Sequence, residues 1–294
     1  MKIISLSKRK FKDLKKLDLP KEIYNMEATL YDFRYRGKDK VFKRLYHTSG
    51  QVFANKLYTL EMLDANREYF PSNFCVPDAL LSVGGVIEGA TMPKVNGVNL
   101  SLLLKNKKVS TETQIYYLKK VGEILNKLKY IRETTPLKDF YINDLHDFNF
   151  LADIENKNLN VVDLDSAKIG NNNACAARFL TPFSLLNSAV GKYNINKDEN
   201  ASGYVVADEN TDLYCYIIMI LNYLYGESIN NVDIVRFYDY LNYLESIGVN
   251  KELIENFGKI LINKDNENPI ELLDSITNEQ VYRAKKNVYE KLGK

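Results

Sequence analysis

Asp144, Asn149 and Asp163 are the residues of this 294-residue chain whose types and spacing could do chemistry. They lie in Tyr141-Ile-Asn-Asp-Leu-His-Asp-Phe-Asn-Phe-Leu-Ala-Asp and, further on, in Val161-Val-Asp-Leu-Asp-Ser-Ala. Between Tyr141 and Asp165 fall five Asp and one of the chain's two His, and the acids stand at the ends of apolar runs. Phe148, Phe150 and Leu151 read as the start of a strand, Glu155-Asn-Lys-Asn as a turn, and Leu159-Asn-Val-Val as a second strand. The result is loop, hairpin, loop, with Asp144 and Asn149 at one mouth and Asp163 at the other. Two carboxylates and an amide oxygen brought together there suit a hard cation that also carries phosphate oxygens. A polar hairpin with capping and turn acids accounts for the same residues by composition alone.

The elements that must position these groups fall into two kinds. Thr29-Leu-Tyr-Asp-Phe-Arg-Tyr and Val41-Phe-Lys-Arg-Leu-Tyr alternate around a turn at Gly37-Lys-Asp-Lys, which predicts an antiparallel meander. Lys43 lies opposite Phe42 on that strand, where a lone Lys ordinarily faces solvent. Residues 51–69 predict a helix with Val52, Leu57, Leu60 and Leu63 as its apolar stripe and Glu61 off the stripe's centre. Two more strands follow, Val76 to Val86 and Val86 to Met92, turning at Gly84-Gly85. Pro93-Lys-Val-Asn-Gly has no period and reads as a linker. Beyond it the pattern turns helical: Ser101 to Lys105, Thr111 to Tyr130, Thr211 to Tyr225 ending at Gly226, then roughly 231–247, 250–262 and 276–292. Residues 1–24 read as partly helical and amphipathic, with a break at Pro20. Residues 170–207 are irregular. The predicted class is α+β: a small sheet-rich first lobe over 1–93 with one helix, and a larger helical lobe over 94–294 that carries the hairpin.

Composition narrows the function. Forty basic and 38 acidic residues give a net charge of +2, so bulk attraction to nucleic acid or a membrane surface is not implied. The run from Tyr214 to Tyr225 is too short to cross a bilayer. Lys8-Arg-Lys-Phe-Lys is not followed by an apolar segment and so does not read as a signal peptide. Cys75, Cys175 and Cys215 are few, odd in number and far apart, which argues for a reducing, cytoplasmic setting and against a zinc site or disulfide frame.

Taken in order, Lys43, Glu61, Asp144-x-x-x-x-Asn149 and Asp163 resemble the protein-kinase-like family, over about residues 25–292. The resemblance implies a bilobal fold with a small antiparallel sheet and one helix over a larger helical lobe. It implies that Asp144 is the catalytic base, that Asn149 and Asp163 hold Mg²⁺, and that Lys43 binds the α and β phosphates of ATP while Glu61 holds it in place. Met92 and Lys94, beside the Pro93–Gly97 linker, would meet the adenine through the backbone. Thr211-Asp-Leu-Tyr to Gly226 is similar to the long buried helix of the helical lobe in eukaryotic-type kinases, with Asp212 as its polar anchor.

Some residues depart from the eukaryotic Ser/Thr pattern. Tyr24-Asn-Met-Glu-Ala-Thr-Leu-Tyr has no glycine where a glycine-rich loop is expected. Asn143 stands before Asp144 where many protein kinases have Arg. Asp144-Leu-His146 looks more like the aminoglycoside and choline kinases, with His146 read as a hydrogen bonder that shapes the loop. Leu164-Asp165 replaces Phe-Gly, and Asp165 reads as a turn acid. No Ala-Pro-Glu follows, Glu199 and Glu209 being poor substitutes. The expectation is an ATP- and Mg²⁺-dependent transfer of the γ-phosphate to a protein Ser/Thr hydroxyl. Two alternatives are a small-molecule kinase, for which Asp233, Asp239, Glu245 and Glu255 are the acids among the C-terminal helices, though at ordinary surface spacing, and a scaffold pseudokinase.

Overall fold

Side chains that alternate between two faces build the sheet that presents Lys43. The computed structural model describes residues 1–20, 27–170, 172–173, 207–208, 210–229, 232, 234–263 and 267–291. Strands β2 (Ala28–Tyr35) and β3 (Lys38–Leu45) pair antiparallel from Ala28↔Leu45 to Tyr35↔Lys38. Their two-residue turn, Arg36-Gly37, has φ of 51° and 77°, the left-handed pair that matches the twist of a hairpin. Strands β4 (Ala79–Val83) and β5 (Val86–Pro93) turn the same way at Gly84-Gly85. β5 also pairs with β3, opposing Ala90 to Lys43.

The predicted helical character of residues 1–24 is corrected. Lys2–Leu6 forms strand β1, parallel to β4, and only Lys8–Lys12 is helical (α1). Ile4 is buried and Ile3 exposed, a period of two that the basic run after it obscures. The sheet has five strands in the order β1-β4-β5-β3-β2 and is mixed, not purely antiparallel. One of its faces packs Ile4, Tyr31, Phe33, Phe42, Leu81 and Val83 under Phe11 and Leu14. The other carries Leu80 and Ala90 against Leu60 of helix α2 (Gly50–Ala65). Phe42 thus serves the outer core, while Lys43 faces α2 and the hairpin.

The buried face of α2 is Lys56, Thr59, Leu60 and Leu63. Val52 is exposed, so the expected stripe is rotated toward Lys56. After the linker come β6 (Val98–Asn99), α3 (Leu100–Lys105) and α4 (Thr111–Thr134). The hairpin β7 (Phe150–Asp153) and β8 (Asn158–Val161) follows, joined by β6 into a three-stranded sheet. Asp153 caps the hairpin turn by accepting from Asn156 N. β9 (Lys168–Ile169) and β10 (Asn172–Asn173) form a short pair. The Tyr24–Met26 part of the glycine-free loop and most of the irregular 170–207 stretch, with Glu199, lie outside the described residues, as do Glu209 and Asp233.

The helical core is organised on α5 (Thr211–Tyr225), buried on nearly every side. Each fully buried large apolar side chain there contributes about 1.5–3 kcal/mol. Its polar tips are paired: Tyr216 donates to the Leu118 carbonyl at 2.9 Å and Tyr223 to Gln114 Oε1 at 2.8 Å. Asn210 is the N-cap position, and Gly226 closes the helix at φ 84°. Helices α6 (Ile234–Ser246), α7 (Lys251–Asn263) and α8 (Asn278–Lys291) complete this part. Asp239, Glu245 and Glu255 are exposed on them and line none of the pockets described below. Among the described residues no helix is long and apolar enough to cross a membrane.

Candidate active site

Asp212, in the first turn of α5, sets the position of the loop that carries Asp144. Its carboxylate accepts from Ile142 N at 2.8 Å and from Asn143 N at 2.9 Å. Burial raises this carboxyl to about 6, against the two N–H groups and Arg132, which favour the charge. Asn143 is held left-handed at φ 66°, and its amide donates to the Ser166 carbonyl at 2.9 Å. Tyr141 and Lys168 exchange backbone hydrogen bonds at 3.0 Å in both directions. The loop is thereby fastened from below by a helix and from the side by the segment after β8.

Asp144 and Asn149 come together within this loop. Asn149 Nδ2 donates to the Asp144 carbonyl at 2.9 Å and lies 3.4 Å from its carboxylate. His146 Nδ1 accepts from Phe148 N at 3.2 Å, and Nε2 faces Asp144 Oδ2 at 3.5 Å. His146 is therefore a hydrogen bonder that shapes the loop, as its type suggested. Burial would raise the Asp144 carboxyl, but the His146 hydrogen bond and charge, with Lys43, hold it below its ordinary value. The Asp144 side chain is 42% exposed and can be reached from outside.

Asp163 is joined to the same loop through its neighbour, Val162 N donating to the Asn149 carbonyl at 2.9 Å. Among the described residues four non-glycine residues have positive φ. Arg36 and Lys157 sit in hairpin turns; Asn143 and Asp163 flank the proposed chemistry. A left-handed Asp costs backbone energy, of order 1 kcal/mol or more, and the hydrogen bonds around it hold the conformation. The Lys43 ammonium, from the sheet, pairs with the Asp163 carboxylate and also with Asp165 at 2.9 Å. Burial opposes its charge, but the two carboxylates outweigh burial and raise its pKa above the ordinary lysine value.

Glu61 does not hold Lys43, which corrects the sequence expectation. It is exposed, a position past the buried face of α2. The position on that face nearest the acids belongs to Lys56, which pairs with Glu27 at 2.9 Å and Asp165 at 3.3 Å. Asp165 is likewise not a mere turn acid: its side chain is 7% exposed and shared by two ammonium groups. Burial opposes its charge, yet Lys43 and Lys56 hold its pKa far below the ordinary carboxylate value, while burial and the charge of Asp165 raise Asp163. Sequence reading passed over Lys56, although its spacing to Leu60 and Leu63 places it on their face.

Met92 lines a small pocket with Ala90, Leu60, Pro77, Leu45, Lys43 and Asp163, an apolar slot that opens on the charged groups. Lys94 does not line it, which corrects the expectation that it meets the adenine: its side chain pairs with Asp32 and its N–H donates to the Asp39 carbonyl at 3.4 Å. Among the described residues no three His, Cys, Asp or Glu converge on a metal position. Mg²⁺ needs no such cage, because it keeps waters and phosphate oxygens and takes one or two protein oxygens. The donor set fits that habit. Asp163 is 33% exposed, and with Nδ2 committed to Asp144 the Asn149 amide keeps its oxygen for a cation. No protein-family model matches the chain, and no curated protein matches it.

Proposed function

We propose that the protein is an ATP- and Mg²⁺-dependent phosphotransferase of the protein-kinase-like fold, moving the γ-phosphate to a hydroxyl. The observation that carries this reading is the meeting of Lys43 with Asp163, 120 residues apart, beside the Asp144–Asn149 loop. Lys43 would neutralise α and β phosphate oxygens at the end of the Ala90–Met92 slot, where the adenine would lie against the β5 end and linker. Asn149 and Asp163 would supply the oxygens for Mg²⁺, which when bound offsets the charge of the transferring group. Asp144 would orient the acceptor hydroxyl and take its proton.

The acceptor in the first reading is a Ser or Thr of a protein, supported by the Asp212-anchored loop on α5. One observation favours a small alcohol as the second reading. A pocket beside Asp144 is lined by His146, Asp147, Tyr214, Cys215, Met219 and Asn222, which can enclose a small polar molecule.

Labelled ATP with and without Mg²⁺ tests both, using the wild type, Asp144→Ala and Lys43→Ala. Label on protein supports the first acceptor, and turnover only with added small alcohols the second. Each substitution is expected to lower turnover by about 100-fold or more. Absence of both turnover and a nucleotide-dependent thermal shift in the wild type overturns the phosphotransferase reading.

A further inference from the structure

Lys43 faces two carboxylates with one ammonium, and the two differ. Asp163 is left-handed and 33% exposed; Asp165 is 7% exposed and bound to a second cation, Lys56. Helix α2 grips the Asp165 turn at two points besides that ion pair, Lys56 Nζ to Ser166 Oγ at 3.4 Å and Thr59 Oγ1 to the Ala167 carbonyl at 3.4 Å. A carboxylate so buried and held by two cations is fixed in place, whereas Asp163, more exposed and on one ammonium, can turn to another cation.

Resting on the phosphotransferase reading, we propose that Asp165 is the fixed counter-ion of Lys43 and that Lys56 is the positioning residue that clamps Asp165. Asp163 is thereby left to the metal. Charge on α2 is inverted relative to the Lys–Glu pairing expected of Glu61: the helix contributes a cation that holds an anion, and the anion holds Lys43. Lys56 also ties this cluster to Glu27, the residue that leads into β2, where the Tyr46 N–H to Glu27 carbonyl bond of 2.9 Å fixes the strand edge.

The test is the dissociation constant of ATP, measured by calorimetry once in EDTA and once in excess Mg²⁺. Asp165→Asn and Lys56→Met are expected to weaken binding at least about tenfold in both conditions, because Lys43 loses its fixed partner. Asp163→Asn is expected to lose the gain that Mg²⁺ brings and to weaken binding in EDTA less than Asp165→Asn does. Lys56→Arg, which keeps the cation, is expected to restore binding to within about threefold, and Glu61→Gln to change it less than about twofold. ATP binding like wild type by Asp165→Asn or Lys56→Met, or a large loss in Glu61→Gln, overturns the proposal. Should a single variant not fold, the Lys56→Met/Asp165→Leu double variant removes both charges together and is expected to fold yet bind weakly in EDTA. Tight binding by that variant overturns the proposal equally. A wild type that binds no ATP removes the phosphotransferase reading instead. The clamp is then judged on nucleotide-free protein, where a Lys56–Asp165 double-mutant cycle in stability with no coupling refutes it.

Discussion

Asp212 carries a consequence for pH that belongs to a single side chain. Its folded-state pKa is raised to about 6, above the ordinary carboxylate value that the unfolded chain retains. Between roughly pH 4 and pH 6 the folded protein holds a proton there that the unfolded chain has released, so this group's contribution falls as pH rises through that window. Asp212→Asn does not titrate. The wild type's advantage over the variant is expected to be largest near pH 4 and to shrink by on the order of 3 kcal/mol by pH 7. Denaturant melts of both proteins across that range check it, and a stability difference that stays flat with pH refutes it. At this scale the sequence was informative about identity and poor about pairing. Asp144, Asn149, Asp163 and Lys43 stand out by type and spacing, and the fold brings them together. Glu61 failed as a partner because which face of a helix meets a site is settled by packing: Leu60 and Leu63 turn Lys56 inward and leave Glu61 in solvent.

Elements were legible where a period was strong or a turn residue had one conformation to serve. The hairpins at Arg36-Gly37 and Gly84-Gly85 and the stop at Gly226 follow from left-handed glycines. β1 was missed because five residues are too few to show a period beside a basic run, and its parallel pairing with β4 is a long-range fact. Gly89 shows an element serving the site. A Cβ at this position in β5 would overlap the backbone carbonyl oxygen of Lys43 on β3. Backbone cannot swing aside as a side-chain tip can, so Gly89→Ala is expected to part the two strands at the residue that presents the ammonium. The expected cost is about 1–3 kcal/mol of stability. ATP affinity is expected to fall more than it does in Gly85→Ala, which the φ of 94° strains in the distant β4–β5 turn but whose Cβ meets nothing within 4 Å. Thermal melts and nucleotide titrations of the two variants separate the effects, and equal behaviour would show that the close approach at Lys43 has no bearing on the site.

At the scale of the whole molecule, the sheet-bearing part and the helical part share structure where the site is made. The segment after α2 is stitched to β8: Cys75 N donates to the Val161 carbonyl and Val161 N to the Asn73 carbonyl, both at 2.8 Å. Leu63, Phe70, Phe74 and Val76 pack into the same core as α4 and α5, not into the core on the outer face of the sheet. Phe70 meets Phe140 edge-on at 4.9 Å between ring centres, just before the Asp144 loop. Removing residues 94–294 therefore strips β8 from the Asn73–Cys75 segment, uncovers those four apolar side chains, and takes Asp163 and Asp165 away from Lys43 and Lys56. Four large apolar side chains opened to water forgo about 1.5–3 kcal/mol each, a large share of a domain's net stability of roughly 5–15 kcal/mol. Residues 1–93 produced alone are thus expected to lack a cooperative thermal transition and to bind dyes that report exposed apolar surface. Mixing them with a separately produced 94–294 fragment is expected to restore a transition only where the two associate. Circular dichroism melts of the fragments, singly and mixed, decide it: a sharp transition in 1–93 alone would mean that the sheet and α2 fold without the core they share with the helices.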